Sequence, residues 1–245
     1  TVDDDGKADF DNIQAAIDAA ASGDTITVLS GNYTGSGDSV IDLQGKSLSI
    51  QGMDSGQGIP TIDCQNKRRG ITCNTSENFV TIDAFRIING SSDNGGGLFA
   101  EDVNSSLTIS NCIFTDCSSS LDGGALWLDG ISLVQINNCE FNYHFADDDG
   151  GAIYCYNSDL IVTNCNFSNN ECDDDGGAIH FYGYNYDLDV EQCEFLNNST
   201  PSYGRGGAIY VYSDKLEVDN SNFNNNTSYD AGAIYADVDY GEISN

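Results

Sequence analysis

Asn111-Cys112-Ile113-Phe114, a polar turn, then Gly123-Gly124-Ala125-Leu126 is a phrase that this chain repeats. It returns as Asn138-Cys139-Glu140-Phe141 with Gly150-Gly151-Ala152-Ile153, and as Asn164-Cys165-Asn166-Phe167 with Gly176-Gly177-Ala178-Ile179. A fourth copy reads Gln192-Cys193-Glu194-Phe195 with Gly206-Gly207-Ala208-Ile209. A looser one, Asn220-Ser221-Asn222-Phe223 with Ala231-Gly232-Ala233-Ile234, closes the series. The cysteine position recurs after 27, 26, 28 and 28 residues. A steady period of a few tens of residues means one supersecondary unit stacked on copies of itself.

Inside each unit, apolar and polar residues alternate in short runs. Leu107, Ile109, Cys112 and Phe114 recur as Leu160, Val162, Cys165 and Phe167, while Ile179 and Phe181 alternate with His180 and Tyr182. A period of two reads as strand, and no run in the repeats has the length or spacing of a helix. Short strands, glycine-rich corners and a coil of about 27 residues predict an all-β chain folded as a parallel β-helix solenoid. Each coil then sits ~4.8 Å above the last, so equivalent residues form columns.

The start of the chain departs from this rhythm. Phe10, Ile13, Ala16, Ile17 and Ala20 form a stripe at helical spacing, ended by Gly23, which predicts a helix over about 10–21. Such a helix would cover the open end of the stack, where unpaired strand edges invite association. The expected division is therefore 1–47 for this cap and the first strands, and 48–245 for the coils. The far end has no comparable helix, so either more sequence follows or that edge receives another molecule. Thr1 in place of Met, with no leader-like stretch, reads as a processed or trimmed chain.

Eight Lys+Arg against 39 Asp+Glu give a net charge of −31. Nucleic acids and anionic membrane surfaces both need basic patches, so neither is expected as a partner. No apolar run is long enough to span a bilayer, and no membrane insertion is expected within this chain.

The opening Asp5-Gly6, Phe10-Asp11-Asn12-Ile13-Gln14, Gly23-Asp24-Thr25-Ile26 and Gly31-Asn32-Tyr33 is similar to the start of pectin-lyase-like right-handed β-helix proteins. The Gly-Gly-Ala-Ile phrase, with Phe167 to Asn170, Phe195 to Asn198 and Phe223 to Asn226, resembles the repeats of chlamydial polymorphic outer-membrane proteins. That likeness spans roughly residues 95–235, with Cys117 and His144 standing where two early copies would carry Asn. It implies a right-handed coil and a surface-displayed adhesin passenger, whose membrane barrel this sequence lacks.

Four columns carry candidate chemistry. Cys112, Cys139, Cys165 and Cys193 alternate with apolar residues and are expected to pack inward, whereas Cys64 and Cys73 flank a loop and are candidates for a disulfide. Asn170, Asn198 and Asn226 are expected to form an amide ladder. Nine Asn-x-Ser/Thr sequons point to a secreted glycoprotein, with Asn32, Asn74, Asn89, Asn104 and Asn166 favoured over the ladder positions. Asp122, Asp149 and Asp175 precede the glycine pairs in a column that Arg205 interrupts; stacked carboxylates suit a hard cation, and calcium is the candidate ion. No other cofactor is expected.

The fourth column is aromatic. Phe99, Trp127, Tyr154, His180, Tyr210 and Tyr235 alternate with inward residues and should point outward, with Tyr156, Tyr182 and Tyr212 in a second line. Exposed aromatics in this number mark an interface, with another copy or with sugar rings. Apart from Arg205, the basic residues a polyuronate lyase needs do not recur on one strand face beside an acidic cluster, and two carboxylates for a glycosidase can be picked from 39 acids at will. No residues are therefore assigned to catalysis. The expectation is a non-enzymatic extracellular structural or adhesive protein, a filament subunit or adhesin passenger that self-associates through coil ends and the aromatic stripe. The alternatives are a carbohydrate-binding module or a polysaccharide-degrading lyase or glycosidase.

Overall fold

The structure, a computed structural model, describes residues 1–74 and 77–244. The Asn74 sequon includes Thr75 and Ser76, which lie outside the described residues. The coils stack as the period requires. Every strand pairing is parallel and joins equivalent residues of successive copies, as in Leu98↔Leu126, Leu126↔Ile153 and Ile153↔Ile179. Strands from the phenylalanine phrase form an eight-stranded sheet, and short strands such as Ser118–Ser119 form a six-stranded one. The remaining strands join in a 14-stranded sheet, because Ile179–Glu191 fuses two segments that are separate in earlier coils.

Alternation decides which side chains enter the stack. Leu126–Asp129 buries Leu126 and Leu128 and turns Trp127 and Asp129 outward. Phe114, Phe141, Phe167 and Phe195 stack ring on ring in the interior and half-buried Phe223 continues the stack, with centroids 5.1, 4.9, 4.8 and 4.7 Å apart. Burying such a side chain is worth about 1.5–3 kcal/mol, so this one column is a large share of the core. The cysteine column is buried as expected, and its thiols donate to the carbonyls two residues earlier at 3.1–3.3 Å.

The corners explain the asparagines. Asn111, Asn138, Asn164 and Asn220, each just before the cysteine position, have φ between 47° and 53°. Asn169, Asn197 and Asn225, before the amide ladder, lie at 55–56°. Apart from glycine, Asn is among the few residues that visit this left-handed region readily. The ladder itself is closed: the Asn170 N–H donates to Asn198 Oδ1 at 3.1 Å and the Asn198 N–H to Asn226 Oδ1 at 2.9 Å. Each amide also donates to the carbonyl of a phenylalanine one coil earlier, Phe141, Phe167 and Phe195 respectively.

Two expectations are corrected. The helix spans only Ile13–Ala19, because Asn12 is extended and caps it through Ala15 N–H, while Phe10 pairs with Val2 as a β-bridge. Ile13, Ala16 and Ile17 still bury the apolar stripe against the first coils. Cys64 and Cys73 are not joined; both are free, buried thiols. They belong to different faces of the coil, Cys64 at the corner after Thr61–Asp63 and Cys73 inside Arg69–Asn74.

Candidate functional site

The outer face of the Gly-Gly-Ala-Ile strands carries the aromatic column in register: Phe99↔Trp127↔Tyr154↔His180↔Tyr210↔Tyr235. Neighbouring rings lie 4.4, 6.4, 5.1, 4.7 and 5.4 Å apart, with interplanar angles of 3° to 33°. Arg69 sits over Phe99 at 4.6 Å, and Arg205 lies 4.7 Å from Tyr210 and 4.9 Å from Tyr235. These cation–π contacts place a guanidinium near each end of the column.

The column is on the outside, but it is not the open stripe that alternation alone suggests. His180 is 6% exposed and Tyr210 7%, and the other members are half-buried. The glycine corners also run close beside the column: a Cβ at Gly95 would lie 3.0 Å from Trp127 Cβ. Stacking also occupies the ring faces, so an arriving sugar would meet mostly edges. The second line, Tyr156, Tyr182 and Tyr212, is more open; its rings are 5.7 and 4.8 Å apart and Tyr182 is 40% exposed.

The acidic rim runs beside the first column. Asp122, Asp149 and Asp175 align as expected, yet each carboxylate is already used by the coil above. Asp122 Oδ1 accepts the Asp149 N–H at 3.2 Å, Asp149 Oδ1 the Asp175 N–H at 2.9 Å, and Asp175 Oδ1 the Arg205 N–H at 2.8 Å. Arg205 replaces the next acid and turns its guanidinium back onto Asp175, Nη2 to Oδ2 at 2.5 Å. Burial raises the Asp122 carboxyl above its ordinary range and, with Asp122, Asp175 and Asp174 nearby, pushes Asp149 up to about 7. Burial also holds His180 neutral, its pKa lowered to about 3. Its approach to Asp149, Nδ1 to Oδ2 at 3.6 Å, is therefore not an ion pair. Sequence reasoning placed His180 among the stacking rings and missed that it faces Asp149 and Asp175; the single imidazole in a column of phenyl and indole rings was the available signal.

The favoured sequons sit in different surroundings. Asn32, Asn104 and Asn166 are exposed, and Asn74 is half-buried. Asn89 is half-buried with its amide donating to Asp63 Oδ1 at 3.0 Å. Asn198 is buried within the ladder.

A polar cleft of about 800 Å³ lies between the helix and the first coils, with Gln14, Asp18, Asp38, Asp42, Arg69 and Thr72 on its walls. The Arg69 guanidinium there is bound to the Asn94 and Gly95 carbonyls and Ser92 Oγ. Among the described residues, no helix is long and apolar enough to cross a membrane.

No curated protein matches this sequence. The family described as right handed beta helix region does, over residues 66–241. The match covers the phrase, its corners and its in-register stacking, and the chain belongs to the right-handed beta helix family.

Proposed function

We propose that this chain is a non-enzymatic, extracellular or surface-displayed structural protein, a stiff rod that adheres to copies of itself. The observation that carries this reading is how the outward side chains are used. Rings stack on rings, carboxylates accept N–H groups of the next coil, and both aromatic-column arginines bind neighbouring groups. A catalytic site needs several different groups converging on one substrate atom. Here like groups run in parallel lines, and in the one mixed cluster, Asp149, Asp175 and His180, the carboxylates already hold the N–H groups of the next coil.

Association would use the second tyrosine line, with exposed Tyr182 at its centre, and the outer edge of Ile234–Ser244. That strand pairs with Ile209–Asp219 on one side and has no partner on the other among the described residues. Its unpaired backbone groups would accept a parallel strand from whichever segment supplies one. The resemblance to surface-displayed passengers and the exposed sequons support an extracellular setting. Glycan binding would fall to the same tyrosines, but their partly stacked faces favour protein over sugar as the partner.

The test is electron microscopy and sedimentation of the purified chain, with a parallel assay on a polysaccharide panel. Concentration-dependent assemblies weakened in Tyr182→Glu, with no reducing ends or unsaturated products released, support the reading. Monodisperse rods at every concentration, or released products, would overturn it.

A further inference from the structure

The rim ladder leaves one place open. Asp149 uses Oδ1 to receive the Asp175 N–H, which leaves Oδ2 free on the side of the aromatic column. His180 Nδ1 lies 3.6 Å from that oxygen, is buried and has no hydrogen-bond partner. Asp175, on the following coil, completes a trio whose ligand atoms all lie within 4.8 Å of one another. A buried nitrogen aimed between two carboxylates and bonded to neither is unfinished chemistry.

The geometry points to Asp149, Asp175 and His180 as a binding site for a divalent transition-metal ion such as zinc, set between two coils on the outer face. Zinc takes imidazole nitrogen and carboxylate oxygen at ~2.0–2.2 Å, so two ligands at a tetrahedral angle stand ~3.4 Å apart. The observed 3.6 Å between Asp149 Oδ2 and His180 Nδ1 matches that spacing. Three protein ligands leave a position for water. Calcium fits worse, since it wants six to eight oxygens and gains nothing from imidazole. A run of Asp122, Asp149 and Asp175 alone would offer a line of single free oxygens.

Arg205 is the ion's competitor. Its Nη2 holds Asp175 Oδ2, while its Nε reaches Oδ1 at 3.2 Å. An arriving metal would displace Nη2 from Oδ2. The rim thus has two ways to neutralise the same carboxylates, one built in and one taken from solution. This inference is independent of whether the rod self-associates.

The experiment is titration of the chelator-stripped full chain with Co²⁺, read by visible absorption, followed by displacement with Zn²⁺. One ion per chain, displaced by Zn²⁺ and not by Ca²⁺, is expected. His180→Tyr should weaken binding at least about tenfold, and Tyr already fills this column at Tyr154 and Tyr210, so the stack is retained. Asp149→Asn should do the same while keeping the backbone hydrogen bond, as Asn94 does for Asp122. Arg205→Gln should tighten binding, and Asp122→Asn should leave it unchanged. Several weak ions insensitive to both ligand changes, equal binding of Ca²⁺, or a near-ultraviolet thiolate band showing cysteine ligation would each overturn the proposal.

Discussion

The backbone N–H of His144 donates to Asn170 Oδ1 at 3.1 Å, while His144 Nδ1 accepts the Cys117 N–H at the same distance. The imidazole thus occupies a rung of the asparagine ladder, but its buried Nε2 finds no partner. Burial lowers the His144 pKa to about 3. Between that value and the ordinary ~6.5, the unfolded chain binds a proton that the folded chain refuses, so stability falls as pH drops through this window. His144→Asn should be more stable than the parent, with an advantage growing by on the order of 1 kcal/mol per pH unit below about pH 6. Urea titrations at several pH values check this; an advantage that shrinks on acidification contradicts it.

Tyr143 sits at a left-handed corner, φ 62°, where Asn169, Asn197 and Asn225 stand in later coils. Its side chain is 60% exposed, so little packing offsets the strain. Left-handed backbone costs a residue with a Cβ about 1–2 kcal/mol, and Asn recovers part of that through local hydrogen bonding. Tyr143→Asn should therefore stabilise the chain by about 0.5–1 kcal/mol, measured as a shift in the urea midpoint at constant slope.

Those two positions show what could be read in advance. A strict period aligns like with like, so the cysteine column, the outward ring column and the amide ladder all follow from spacing. The burial of the ring column does not. It depends on the path of corners such as Gly150 and Gly176, with φ 67° and 74°, and no side chain encodes their direction. The contact between His180 and Asp149 was hidden for a related reason: the two are a coil apart, and only the path of the rim beside the column brings them together. Phe10 misled in the other direction, since it matches the helical stripe but pairs with Val2.

Arg205 binds Asp175 and lies over Tyr210 and Tyr235. The guanidinium is partly solvent-exposed, so screening limits its ion pair, and the ring contacts add about 0.5–1 kcal/mol each at such sites. In metal-free solution, Arg205→Gln should cost about 1–2 kcal/mol, and Arg205→Lys should recover only part. Denaturation at low and high salt separates the two contributions, because the ion pair is screened more strongly than the short-range ring contacts.

All nine thiols are buried and free, and burial raises Cys117 to about 12 and Cys155 higher still. Thiolate is the reactive form, so the native chain should give no fast reaction with a disulfide reagent at neutral pH. All nine should react after denaturation. Rapid modification of the native chain would contradict the burial of the thiols, and an intact mass lower by two hydrogens would show a disulfide.

If the chain passes through a secretory pathway, glycan occupancy should follow exposure. Glycopeptide mass spectrometry should find sugar on Asn32, Asn104 and Asn166 and none on Asn198, whose amide is bonded to Phe167 O and Asn226 Oδ1. Sugar on Asn198 in folded material would contradict the ladder.

Parallel pairing between successive coils has a mechanical consequence. A pull on the two termini loads the outermost turn first, and the turns beneath keep their own neighbours. The chain should then unspool turn by turn, each release paying out about 27 residues, or roughly 90 Å of contour at ~3.4 Å per residue. A tether built this way yields in regular increments under tension and can rewind on the turns that remain.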